Sequence, residues 1–332
     1  MKAVGDLPYL ACPPLAGGAY GRWFTDTTIW RPYVEWVARR HALPAPRELS
    51  VGTPGSHPVF VTADGYVVKF YAPHWPADAR SESAVFECLR ATSLAAVPRP
   101  AVLAGGRLFA GGEPWAWPYA VFVSMKGRAL ADLGAHWPPS AWTTTAHELG
   151  RIVRALHEVP LDDTVPDFAS WSAYEMSNLL RTAPERRRHD PAWARLDFEA
   201  WEAHWQEVID REWIRPCLLH GDLTADHVFI QKSSDAVRIT GLIDWADALI
   251  GDPAYELVAV YVDLFRGQRD QFMAFRSGYG DGPMFRPTWK RRATAWLLAY
   301  RFDVGSMLAA IRPALSSINS FQDVEEIVWE GF

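Results

Sequence analysis

Two short strings place acids between apolar runs. Leu218-Leu219-His220-Gly221-Asp222-Leu223-Thr224-Ala225-Asp226-His227-Val228-Phe229-Ile230 enters and leaves a polar cluster on hydrophobic residues, and Gly241-Leu242-Ile243-Asp244-Trp245-Ala246-Asp247 repeats the pattern. An acid delivered by a buried segment needs a reason, because unpaired buried charge is costly. Two convergent carboxylates suit phosphoryl transfer. Asp222 would orient an attacking hydroxyl and accept its proton, and Asp244 would hold magnesium on a nucleoside triphosphate. The triphosphate also needs a cation. Lys69, in Val67-Val68-Lys69-Phe70, can supply it, with Glu82 as its partner.

Each residue also has a plainer reading. On strand pattern alone Lys69 is a surface lysine, and Glu82 simply opens a helix, where the dipole favours acids. Asp247 and Asp252 read as loop acids bonding backbone amides. His220 reads as a residue that positions the Asp222 loop through a backbone hydrogen bond. Ser56 and His57 either touch phosphate through their loop or form a plain turn. His220, Asp222, Asp226 and His227 superficially resemble a metal cluster, the basis of a metallohydrolase alternative, but more closely spaced histidines would be needed.

The elements that must position these residues follow from periodicity. Asp26 and its threonine neighbours can cap a helix over 28–42. A loop string, Gly52-Thr53-Pro54-Gly55-Ser56-His57-Pro58, precedes strands over 59–62 and 66–71 joined by an Asp64-Gly65 hairpin turn. A helix over 79–91 carries Glu82, and strands near 101–103 and 119–124 follow. Beyond Gly127 the chain turns helical, with helices over 147–157, 198–213, 255–265 and 288–311, and 181–190 as a loop or solvated helix end. Strands at 228–231 and 237–244, joined by a turn at 232–235, would bring Asp222 toward Asp244. Strands followed by helices predict an α+β fold, with a strand-rich N-terminal lobe over 1–123 and a mainly helical lobe over 124–332.

Composition narrows the class. The chain has 332 residues, 49% hydrophobic and 22% charged, as globular proteins do, and is long enough for two lobes. A formal net charge of −6 argues against nucleic acid as a partner. Three dispersed cysteines give no disulfide framework. With no signal-like N-terminus and no membrane-length apolar run, a cytoplasmic protein, monomer or homodimer, is expected.

The ordered set is similar to the aminoglycoside-phosphotransferase and choline-kinase superfamily, relatives of the protein kinases. His220-Gly221-Asp222-Leu223 resembles its catalytic loop, Ile243-Asp244-Trp245 its metal loop, Val67-Val68-Lys69-Phe70 its lysine strand and Glu82 its paired glutamate. Trp117-Pro118-Tyr119-Ala120-Val121-Phe122 resembles the approach to the nucleotide hinge, and Gly251-Asp252-Pro253-Ala254-Tyr255-Glu256-Leu257 the segment after the metal loop. Within the superfamily, Ser81-Glu82-Ser83, Pro114-Trp115-Ala116-Trp117-Pro118-Tyr119 and Phe265-Arg266-Gly267-Gln268-Arg269-Asp270 resemble the streptomycete hygromycin phosphotransferases.

The resemblance implies a protein-kinase-like two-lobe fold with ATP or GTP and Mg2+ in the cleft. Backbone of Phe122, Val123 and Ser124 would receive the base, and the acceptor would be a small hydroxylated antibiotic. A hygromycin-type aminoglycoside or a capuramycin-type nucleoside is expected, with resistance as the role. A metabolite kinase of the same fold or a nucleotide-binding pseudokinase are the alternatives. One departure stands out. Where the superfamily has asparagine as a second metal ligand, this chain has His227, and imidazole suits magnesium poorly. Asp226 or water would replace the asparagine, or one metal would bind, or His227 would contact phosphate.

Overall fold

A computed structural model describes residues 7–53, 55–109, 113–161, 165–210, 214–232 and 237–332. The turn expected at 232–235 lies largely outside the described residues. The chain divides into two compact units, Met1–Arg80 with Arg99–Lys126, and Ser81–Pro98 with Gly127–Phe332. Residue 82, expected in the N-terminal lobe, therefore packs with the second unit.

In the first unit, α1 (Ala19–Phe24) leads into α2 (Thr27–Arg40), whose N-terminus is capped by the Asp26 carboxylate on the Thr28 and Ile29 amides. An antiparallel sheet follows. It comprises β1 (Leu49–Val51), β2 (Val59–Thr62), β3 (Tyr66–Phe70), β4 (Val102–Arg107) and β5 (Pro118–Val123), in the order β1-β2-β3-β5-β4. The β2–β3 hairpin turns at Asp64-Gly65, with Gly65 at φ 89°, a conformation that costs glycine little. Alternate residues Tyr66, Val68 and Phe70 join Trp30, Phe60 and Trp117 in an aromatic core. Lys69 faces the other way on β3, paired in register with Val59 and Ala120.

The helix α3 (Asp78–Cys88) spans the boundary between the units. The second unit then contains β6 (Arg128–Ala129), α4 (Pro139–His157), α5 (Pro166–Arg187) and α6 (Trp201–Asp210). Strands β7 (Cys217–Leu219), β8 (Val228–Lys232), β9 (Val237–Leu242) and β10 (Leu249–Gly251) come next. The helices α7 (Glu256–Ala259), α8 (Arg269–Tyr279), α9 (Trp289–Ala299), α10 (Gly305–Ile311) and α11 (Phe321–Val328) complete it. Among the described residues no helix is long and apolar enough to cross a membrane. Helices α4 and α8 pack closely because each offers a glycine to the other. A Cβ on Gly150 would meet the Phe275 carbonyl, and one on Gly278 the His147 carbonyl.

Two expectations are corrected here. The basic stretch 181–190, expected as a loop or a solvated helix end, is the end of α5 through Arg187, but that arginine is buried rather than solvated. The segment 288–311 is not one helix, because it breaks between Ala299 and Gly305. The two corrections share a cause. Arg186 donates to the carbonyls of Ala299 (2.8 Å) and Tyr300 (2.6 Å), and Arg187 to those of Leu298 (3.1 Å), Tyr300 (2.6 Å) and Phe302 (2.6 Å). Carbonyls that a continuing helix would bond internally are drawn to buried guanidiniums instead.

Candidate active site

Strands β7 and β10 pair antiparallel, Leu219 opposite Leu249; β7 leads into the Asp222 loop, and β10 leaves the Asp244 loop that β9 enters. After β7 the chain turns sharply at Gly221, where φ is 83° and a Cβ would collide with the Asp247 carbonyl. Glycine is thus needed twice, for the left-handed turn and for close approach of the second loop. The buried Glu256 carboxylate accepts the His220 amide (2.7 Å) and the Gly221 amide (3.2 Å). Asp263, in a π-helical turn after α7, accepts the Ala225 amide at 3.1 Å. These acids fix the Asp222 loop through its backbone.

The second loop is tied to the first by the β8–β9 pair. Val228 lies opposite Leu242, a bulge at Phe229/Ile230 adds twist, and the Ile243 amide donates to the His227 carbonyl at 3.0 Å. Asp244 then takes a left-handed conformation, φ 61° and ψ 69°. Trp245 is fully buried, with its indole N–H on the Leu242 carbonyl (3.0 Å) and its amide on the Glu82 carboxylate (3.1 Å). Glu82 is therefore more than a helix-opening acid; it anchors the Asp244 loop.

His227 lies between the two aspartates. Its Nδ1 donates to the Asp222 carbonyl (2.7 Å) and lies 3.6 Å from the Asp222 carboxylate, while Nε2 is 3.7 Å from Asp244 Oδ2. Burial disfavours charging the ring, but the Asp244 and Asp222 carboxylates outweigh it, so His227 titrates above an ordinary histidine. The imidazole thus stands between the two carboxylates, with one ring nitrogen toward each. Burial likewise raises the Asp222 carboxyl to about 7, against the pull of His227 and with Asp247 and Asp244 adding to the rise. His220 is wholly buried, its Nε2 bonds the Ile243 carbonyl (3.0 Å), and burial lowers it to about 4. It is neutral near pH 7 and supports the turn, as expected of a positioning residue.

In the first unit Lys69 is 4% exposed, with its Nζ 5.3 Å from the Tyr71 ring centre, so it is not a surface lysine. Ser56 is exposed, and its carbonyl accepts from the Tyr20 hydroxyl at 2.6 Å. His57 departs from expectation. Its Nδ1 accepts the Ala72 amide (3.1 Å) and its Nε2 bonds Asp78 (2.9 Å). Both ring nitrogens are spent inside the unit, which leaves none for phosphate. At the backbone expected to receive a base, Val123 donates its amide to Ala101 (2.9 Å) and Ser124 to Gly65 (3.0 Å).

Sequence reasoning assigned no role to Glu256, Tyr300 or Arg301. The Tyr300 hydroxyl lies 2.9 Å from the Gly221 carbonyl and 3.3 Å from Asp222 Oδ1. Arg301 pairs with Asp247 and, at 3.5 Å, with Glu175. Glu256 lies in the 251–257 segment of the resemblance, and for Tyr300 and Arg301 the signal was a polar interruption of the apolar run that ends near Ala299. Asp252 is structural as expected, capping Ala254 and bonding Arg292 and Trp296. In the second unit a cavity of about 720 Å³ is lined by Arg186, His189, Asp190, Asp303 and Ser306, among others.

The family model described as "Phosphotransferase enzyme family" matches residues 55–294. A lysine-specific demethylase of Arabidopsis thaliana, JMJ21, is 25% identical over 271 residues, covering 64% of this chain and 28% of the relative. The chain spans about a quarter of the length of the curated relatives it matches. Among solved structures, the GDP complex of aminoglycoside 2'-phosphotransferase-IIIa superposes with a TM-score of 0.62 at 18% identity, covering 91% of this chain and 99% of the other. The streptomycin–ATP ternary complex of APH(2")-IIa gives 0.57 at 16% identity, covering 80% and 88%. At such identities the likeness establishes a shared fold, the kinase-like α+β architecture.

Proposed function

The chain belongs to the phosphotransferase enzyme family, and on that premise we propose that it moves the γ-phosphoryl group of ATP or GTP to a hydroxyl of an antibiotic. An aminoglycoside of the hygromycin type or a nucleoside of the capuramycin type is the acceptor, and phosphorylation, by adding charge and bulk, spoils the drug's target contacts. The observation that carries this reading is the Asp222–His227–Asp244 array, two carboxylates on either side of one imidazole, with the first poised near neutrality.

In this reading Asp222 is the base. It orients the acceptor hydroxyl and takes its proton as the oxygen attacks. Asp244 holds magnesium. Among the described residues no group of three or more His, Cys, Asp or Glu could hold a metal ion, which disfavours a metallohydrolase centre. It suits magnesium, which takes one or two carboxylates and fills its shell from phosphate and water. When bound, the ion neutralises charge on the phosphate oxygens. Lys69 supplies positive charge for the α- and β-phosphates, and the backbone at the end of β5, over 122–124, receives the base.

An antibiotic acceptor is supported by the fold shared with an enzyme solved with streptomycin and ATP. A triphosphate-dependent enzyme of this kind works in the cytoplasm.

The test is a transfer assay over aminoglycoside, hygromycin-like and nucleoside antibiotics, with ATP or GTP and magnesium, read by mass spectrometry. A mass gain of one phosphate on a drug is expected. Phosphorylation of a metabolite and of no drug would move the assignment to a metabolite kinase.

A further inference from the structure

The break between α9 and α10 brings a phenol to the site. Tyr300 is buried, held by the two arginine bonds to its own carbonyl, and packed against Tyr255 with ring centres 5.0 Å apart. Its hydroxyl reaches the Gly221 carbonyl (2.9 Å) and Asp222 Oδ1 (3.3 Å). A phenol has one proton and two acceptor positions. With Asp222 ionised, that proton lies between the carbonyl and the carboxylate. With Asp222 protonated, the carboxyl can donate to the phenol oxygen while the phenol still donates to Gly221. Either way the carboxyl group is tied to its own turn. His227 Nδ1 approaches the other carboxylate oxygen at 3.6 Å, so the phenol is the second of two groups that fix the direction of a side chain otherwise free to turn about χ1 and χ2, and a base must point at its proton.

We propose that Tyr300 is a positioning residue that holds the Asp222 carboxylate in line for the acceptor hydroxyl, with the Arg186–Arg187 clamp holding Tyr300 in turn. The proposal rests on Asp222 being the base. Among the described residues the Tyr300 hydroxyl bonds the Gly221 carbonyl and Asp222, so its loss is expected to act on turnover and spare nucleotide binding.

The experiment is Tyr300→Phe in the full chain, with para-fluorophenylalanine introduced at Tyr300 as a second variant that fills the hydroxyl's volume without a donor. Steady-state kinetics are measured below each variant's thermal midpoint. The expected result for both is a kcat lowered about 10- to 100-fold, with KM for nucleotide and acceptor within about twofold of wild type. A purely structural role would not divide kcat from KM in this way. Wild-type kcat in either variant, or a rise in KM with kcat intact, overturns the proposal. Asp222→Asn is run alongside. Full activity there removes the base itself, and the proposal with it, whatever the Tyr300 variants show; an inactive Asp222→Asn with fully active Tyr300 variants sinks the Tyr300 proposal alone.

Discussion

Asp222 can act as a base only when ionised, and burial holds its carboxyl up at about 7. Transfer should therefore fall about tenfold for each pH unit below that value, checked by the pH profile of kcat/KM, and Asp222→Asn should abolish it while leaving nucleotide binding intact. His220 has the opposite habit. Free histidine takes its proton near 6.5, whereas buried His220 waits until about 4. The unfolded chain thus binds that proton first. Stability contributed by the neutral ring is whole above 6.5 and is lost as the pH falls toward 4, worth about 3 kcal/mol at the acid end. Asp222 works the other way over much of the same window, because its folded carboxyl takes up a proton before the unfolded one does. The clean measurement is urea unfolding of wild type against His220→Gln at a series of pH values. The variant should gain on the wild type as the pH drops from 6.5 to 4. At this scale Asp222, His220 and Asp244 were legible in the sequence, because a polar residue between buried runs is costly to keep unless a bonded partner or a reaction holds it there. Tyr300 was not, since its contact with Gly221 joins positions far apart in the chain and leaves no local pattern. His57 was misread because its loop-forming neighbours gave no hint that the ring is buried.

Helices that approach each other through glycine cannot accept a methyl group without moving apart. Gly150→Ala or Gly278→Ala should destabilise the second unit by about 1–3 kcal/mol, lowering the thermal midpoint by about 2–4 °C per kcal/mol, with transfer kinetics unchanged. Calorimetry checks the first and the antibiotic assay the second. Element by element, amphipathic spacing located α2, α3 and α4, and the Asp-Gly turn located the β2–β3 hairpin. Periodicity failed at the α9–α10 break and at the end of α5, for one reason: two arginines there bond backbone carbonyls of another element, and neither hydropathy nor capping signals register such bonds. The Arg181–Asp190 stretch looked solvated because its charges were visible and their buried partners were not.

For the whole molecule, a ligand that binds only the folded chain raises its stability. Nucleotide with magnesium at a hundred times its dissociation constant should add about 2.7 kcal/mol, seen as a higher thermal midpoint. Lys69→Met and Asp244→Asn should each diminish that gain; an undiminished gain in both would contradict their proposed work on the triphosphate. Asp244 also carries a conflict. Its backbone sits in a left-handed well that every residue with a Cβ enters reluctantly, though aspartate less so than most. Glycine would relax there. A population selected for heat resistance alone would thus drift toward glycine at this position and lose catalysis on the way, whereas one challenged with the drug would keep the strained acid.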